Sequence, residues 1–183
     1  NRTVSIDALG RRTSTLYDEL GRSKQVTDAL GGLWTSVYDA AGNLTVSIDA
    51  LGRRTTSLYD DLDRAVQVTD AMGGLWTSVY DALDRKTVSI DALGRRTTDT
   101  YDVLSRVTAT ARPTGATESF AYDAADNLTA TTNARGYQST FAYDGLGRQV
   151  SRRDALAGLW TSVYDAADNL TVSIDALGRR TTN

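Results

Sequence analysis

Carboxylates recur through this 183-residue sequence at a fixed interval. Asp18, Asp39, Asp60, Asp81, Asp102, Asp123, Asp144 and Asp165 follow at 21-residue steps, each directly after a tyrosine (Tyr17, Tyr38, Tyr59, Tyr80, Tyr101, Tyr122, Tyr143 and Tyr164). A second series, Asp7, Asp28, Asp49, Asp70, Asp91 and Asp175, runs between them. Three chemistries use such groups. A pair of carboxylates can cleave a glycoside. Clustered acids and amides, such as Asp123, Asp126 and Asn127, offer hard oxygens to calcium. Asp at the first position of a turn accepts hydrogen bonds from the backbone just ahead of it.

The spacing favours the third. An active site is a single departure from a pattern, whereas these acids are the pattern. The Gly-Gly-x-Gly-x-Asp run of calcium-binding β-rolls is absent. The sequence has no His and no Cys, so the usual general base near neutrality and the commonest transition-metal ligand are missing, and Ser or Thr has no His to activate it. We therefore expect no catalytic residue, no cofactor and no metal ion. The departures from the repeat, Arg112-Pro113, Glu118, Phe120, Tyr137, Phe141 and Arg152-Arg153, read as repacking of one diverged stretch.

The elements that carry the acids follow from their neighbours. Gly stands three residues after Asp in Asp28–Gly31, Asp49–Gly52, Asp70–Gly73 and Asp91–Gly94, where a turn needs a positive φ that Gly adopts without a Cβ clash. Each 21-residue unit thus holds two turns, ten and eleven residues apart. The five or six residues between turns match a strand, and their content agrees. Leu44-Thr45-Val46-Ser47-Ile48 alternates apolar and polar, and Leu33–Tyr38 and Arg54–Tyr59 are rich in Thr, Val and Tyr. No window sustains a helical period. The expectation is an all-β chain of tandem two-strand repeats forming a long antiparallel β-ribbon, spiral or tube. It reads as one array over residues 1–183, about 8.7 repeats, cut from a longer protein.

A 42-residue super-repeat lies over the 21-residue one. Gly31–Asp39 returns almost unchanged at Gly73–Asp81, and again, lacking one Gly, at Gly158–Asp165. Trp34, Trp76 and Trp160 mark it and are expected as core anchors, with an exposed aromatic row as the alternative. The eight tyrosines are expected to stack as a structural ladder. Apolar positions in Val66-Gln67-Val68 fall one residue away from those in Val46-Ser47-Ile48, which turns the apolar set to the opposite face unless a bulge absorbs the shift.

Composition excludes several classes. A net charge of −3 with isolated Arg pairs matched by nearby Asp argues against nucleic acid as a partner. No apolar run approaches a membrane span. Hydrophobic residues at 40% suffice for a packed interior.

These repeats resemble a known family. Tyr143-Asp144-Gly145-Leu146-Gly147-Arg148 and Tyr122-Asp123-Ala124-Ala125-Asp126-Asn127-Leu128-Thr129 look like the signature of the YD-repeat, or Rhs-repeat, family. The likeness covers essentially the whole chain, with Pro113–Asp154 its most typical part. It implies a secreted or cell-surface protein whose repeats form a β-ribbon. In bacterial Rhs and toxin-complex proteins that ribbon curls into a shell around a toxic C-terminal domain, and in teneurins a similar barrel serves adhesion. The expected function is a non-catalytic scaffold, the wall of a shell or tube that encloses or presents an effector. The alternative is a subunit of an extracellular filament or adhesin, with carbohydrate binding a further option. Expected partners are other segments of the same chain, neighbouring copies, an enclosed effector domain or a cell-surface glycan.

Overall fold

The computed structural model describes residues 1–182, and among them there are eighteen strands and no helix. The chain divides into two units. The first, Asn1–Arg96, holds β1 (Arg2–Ile6), β2 (Arg12–Tyr17), β3 (Ser23–Thr27), β4 (Leu33–Tyr38), β5 (Leu44–Ile48), β6 (Arg54–Tyr59), β7 (Ala65–Thr69), β8 (Leu75–Tyr80) and β9 (Lys86–Ile90). The second, from Thr97 onward, holds β10 (Arg96–Tyr101, its first residue at the boundary), β11 (Val107–Ala111), β12 (Thr117–Tyr122), β13 (Leu128–Thr132), β14 (Gln138–Tyr143), β15 (Gln149–Arg153), β16 (Leu159–Tyr164), β17 (Leu170–Ile174) and β18 (Arg180–Thr182).

Within each unit every strand pairs antiparallel with the next in the chain, a plain meander. Local turns suffice for such a sheet, because antiparallel neighbours need no crossover. Among the described residues of the first unit, no strand touches any but its chain neighbours. Within itself that unit is therefore a single layer, with no strand stacked on another. Val88, 7% exposed, and Thr110, 8% exposed, are the only buried side chains among the described residues. The expectation of a packed interior with tryptophan anchors is not met: among the described residues Val88 is the one buried apolar side chain, and Trp34 and Trp76 remain 40% exposed. Forty per cent apolar residues are enough for a core only when a second layer supplies the other side of it.

One feature repairs a parity problem. An odd repeat length should send equivalent residues to alternating faces, since side chains alternate with period two. Each tyrosine strand instead meets a bulge: Leu16 pairs with Gln25 but Tyr17 with Ser23, leaving Lys24 extra, and Val37 pairs with Val46 but Tyr38 with Leu44, leaving Thr45 extra. The same shift precedes Tyr59, Tyr80, Tyr101, Tyr122, Tyr143 and Tyr164. The added residue restores parity. Across one repeat, Leu16 leads through Gln25 to Thr35, two positions before its counterpart Val37 and on the same face. All tyrosines of a unit therefore share one face, the tyrosine face.

The offset between odd and even units has a different origin. The bulge sits at the same place in both, so it does not absorb the shift. Val46 and Ile48 lie on the face opposite the tyrosines, paired with Val37 and Thr35. Val68 lies on the tyrosine face, paired with Trp76, as Val26 is with Trp34. The two members of the super-repeat place their apolar residues on different faces.

Candidate functional site

The repeated acids all sit at turns, and each is occupied in building its own. In the Asp18 turn, Oδ1 accepts from the backbone N–H of Leu20 (3.0 Å) and Arg22 (2.9 Å), while Oδ2 takes the Nε of Arg22 at 2.7 Å. The Asp18 N–H donates to the Arg22 carbonyl, and the Gly21 N–H donates to the Asp18 carbonyl. The geometry recurs at Asp7, Asp39, Asp49, Asp60, Asp81, Asp91, Asp102, Asp123, Asp144, Asp165 and Asp175, with Asn43, Asn127 or Asn169 replacing Arg in three of them. Arg112 and Asn133 begin two turns without Asp.

These bonds set the acidity. The backbone N–H at the fifth turn position is the main cause holding Asp7, Asp18, Asp39, Asp102 and Asp175 below the ordinary carboxylate range. For Asp60, Asp123 and Asp165 the side chain of that residue is the larger cause. At Asp49, Asp81, Asp91 and Asp144 partial burial is the strongest single influence and works upward, yet the Arg bonds together outweigh it. A carboxylate tied this way is a poor proton donor near neutral pH.

The fourth turn position takes a positive φ. Gly73 adopts +83° there, and six turns use another residue: Asp63, Asp84, Ser105, Asp126, Ala157 and Asp168. The acids at three of these serve a clamp that the sequence did not announce. Arg64 donates to the Asp81 carbonyl (3.1 Å) and to Asp84 Oδ1 (2.6 Å), while its guanidinium lies 4.8 Å from the Tyr80 ring centre. Arg106 does the same with Asp123, Asp126 and Tyr122, and Arg148 with Asp165, Asp168 and Tyr164. Arg22 reaches the Asp39 carbonyl and covers Tyr38, where Gly42 leaves no carboxylate. Arg22, Arg64, Arg106 and Arg148 are 42 residues apart, so the super-repeat is partly a clamp at every second Tyr-Asp turn. The signal available in the sequence was Asp at the glycine position, 20 residues after an Arg.

The tyrosines are placed differently from a ring-on-ring ladder. Their hydroxyls donate to carbonyls 15 residues back: Tyr38 to Ser23, Tyr59 to Leu44, Tyr80 to Ala65, Tyr122 to Val107, Tyr143 to Leu128 and Tyr164 to Gln149. Arg guanidinium groups stand over the rings at Tyr38, Tyr80, Tyr122 and Tyr164, because a cation gains from the ring face what a second parallel ring does not. Tyr17 and Tyr101 occupy the same strand position.

The tryptophans explain the Gly-Gly turns. A Cβ on Gly74 would lie 3.0 Å from Trp76 Cη2, 3.0 Å from Asp70 Oδ2 and 3.1 Å from Ala92 Cβ, and Gly32 is as crowded beside Trp34. The indole occupies the space that an Arg side chain fills in other turns, so Gly follows from Trp. Trp160 repeats this over Gly158 and also carries Arg152 at 5.1 Å. In the tryptophan turns Asp28, Asp70 and Asp154 cap the backbone as the others do but have no Arg.

The RHS Repeat family model matches residues 38–74, 59–95 and 122–158, together more than half of the chain. The chain belongs to the RHS-repeat family. Curated proteins give no match. Among solved structures, this RHS-repeat chain resembles TcdB2-TccC3-TEV at 15% identity and TM-score 0.47, covering 90% of this chain and 11% of that one. It resembles TcdB2-TccC3 at 14% identity and TM-score 0.47, covering 93% and 16%. For the Photorhabdus luminescens Tc holotoxin pore carrying TccC3-D651A the values are 15%, 0.36, 94% and 14%. The chain spans at most about a sixth of the length of those chains.

Proposed function

We propose that this RHS-repeat chain is a non-catalytic wall segment of a secreted or surface protein, one continuous array that encloses or presents an effector borne elsewhere on the parent chain. The observation that carries the reading is the use of the turn acids. Twelve of them are consumed twice over, once by their own backbone and once by the Arg or Asn four residues on. The remaining chemistry goes into linking one turn to the next. Groups spent on cohesion, repeated without a unique departure, suit a wall better than a reaction centre.

Electron microscopy of the parent protein, paired with limited proteolysis, tests this. Closed hollow particles with a protected internal domain are the expected result. Particles without a lumen, or an effector domain cleaved as fast as when expressed alone, would remove the enclosing role.

A further inference from the structure

Three clefts recur at one repeat position along the edge opposite the Tyr-Asp turns. The first is lined by Ser5, Asp7, Arg11, Thr13, Asp28 and Leu30, with a volume of about 300 Å³. The second, about 410 Å³, repeats it 42 residues later with Ser47, Asp49, Arg53, Thr55, Asp70 and Met72. The third, in the second unit, has Thr131, Asn133, Tyr137, Ser139, Asp154 and Leu156. All three open on the tyrosine face, since their strand residues alternate with the other set. In the first two, Arg11 and Arg53 are paired with Asp7 and Asp49. Asp28 and Asp70 have Gly where Arg would stand, and among the described residues their Oδ2 atoms accept no hydrogen bond. Each of these clefts therefore holds one net negative charge.

The complementary group is on the other side of the same sheet. Arg12 and Arg54 point to the opposite face and are exposed, and their guanidinium groups have no hydrogen-bond or ion-pair partner among the described residues. Strand alternation fixes where they stand. Arg11 and Thr13, which line the first cleft, flank Arg12, and Arg53 and Thr55, which line the second, flank Arg54. Each unpaired arginine thus lies directly behind a cleft that lacks one positive charge.

We propose that the first unit stacks front-to-back on a second copy of this chain, with Arg12 and Arg54 of one copy entering the Asp28 and Asp70 clefts of the next. A straight translation along the sheet normal makes both contacts at once, because cations and clefts share the 42-residue period. Packed sheets lie about 10 Å apart, a gap that an extended arginine bridges. Nine strands about 4.8 Å apart and about 18 Å long present about 800 Å² per face, so one junction buries about 1,600 Å², the size of a stable specific interface. Back-to-back packing would oppose the arginines of both copies, since β1 to β9 contain no Asp or Glu to offset them, and front-to-front packing would oppose the negative clefts. The second unit keeps its cleft but has Gln138 where Arg12 and Arg54 stand, so the ionic lock belongs to the first. The contact is heterologous, and repeated it gives an open stack and not a closed dimer. This goes beyond the wall reading and does not depend on an enclosed effector.

A charge swap tests it. In R12E/R54E the cations are reversed. In A29K/A71K a cation is placed in each cleft at exposed positions that leave the Asp28 and Asp70 caps intact. Sedimentation velocity over a wide concentration range should show association of the unaltered chain, weakened by about tenfold or more in each double variant. Both variants should keep the β circular dichroism spectrum. Mixed together they should associate again, because every junction between unlike copies is complementary. A monomeric unaltered chain at all concentrations overturns the proposal. So does association that survives both reversals, or two monomeric variants that stay monomeric when mixed.

Discussion

Replacing Gly74 with Ala isolates the dependence of the Gly-Gly turn on tryptophan. The new methyl would sit 3.0 Å from Trp76 Cη2, 3.0 Å from Asp70 Oδ2 and 3.1 Å from Ala92 Cβ. Comfortable carbon contacts start near ~3.5 Å, so neighbours on three sides must retreat by roughly 0.5 Å. Overpacking of this kind costs about 1–3 kcal/mol, against which the lower entropy of the unfolded Ala chain returns only about 0.4–1 kcal/mol. We expect a net loss of about 1–2 kcal/mol, read as a lower urea midpoint by circular dichroism. Gly73 is the control. It has φ +83° and open space around the Cβ position, so Gly73→Ala should lose about 1–2 kcal/mol to backbone strain alone. Trp76→Leu then separates the two. In that background the Gly74→Ala penalty should shrink by about 1 kcal/mol or more, while the Gly73→Ala penalty stays unchanged. Equal Gly74→Ala penalties with and without the indole would refute the claim that Trp dictates Gly.

Four further outcomes follow from the turns and the tyrosines. The turn acids have folded-state pKa values below the ordinary 3.8, so their contribution is complete above that value and is lost as pH falls through the folded values; thermal melts should be flat down to about pH 5 and then drop steeply. A decline that begins at neutral pH would contradict that assignment. Arg64→Lys should lower the melting temperature clearly more than Arg53→Lys, since Arg64 spans two turns and a ring while Arg53 serves its own turn; equal effects would show that the clamp is inert. Ala157 holds φ +67°, and Ala157→Gly should raise stability by roughly 0.5–1 kcal/mol in urea melts, the strain relieved less the added chain entropy. Tyr143→Phe deletes the 3.0 Å bond to the Leu128 carbonyl and should cost about 0.5–1.5 kcal/mol in the same assay, with no loss expected if that carbonyl is satisfied by water instead.

The sequence by itself determined everything that depends on near neighbours. Asp and Gly three residues apart specify a turn through bonds spanning four residues, and the strands Leu33–Tyr38, Leu44–Ile48 and Arg54–Tyr59 lie where their composition put them. From this came the all-β class, the meander and the ordinary role of the acids. Three things were settled only when strands were laid side by side. The bulge opposite each tyrosine decides which residues share a face, and it is a matter of pairing register, to which a single strand is blind. The arginine clamp joins residues 20 apart that become neighbours only across two strands, so a ladder of rings in the sequence became rings interleaved with guanidinium groups. Within each Arg-Arg pair at Arg11-Arg12 and Arg53-Arg54, the first turns to its own Asp and the second to the opposite face without one, although the two are the same residue side by side. Alternation along a strand assigns adjacent side chains to opposite faces, and only the sheet determines what each face meets.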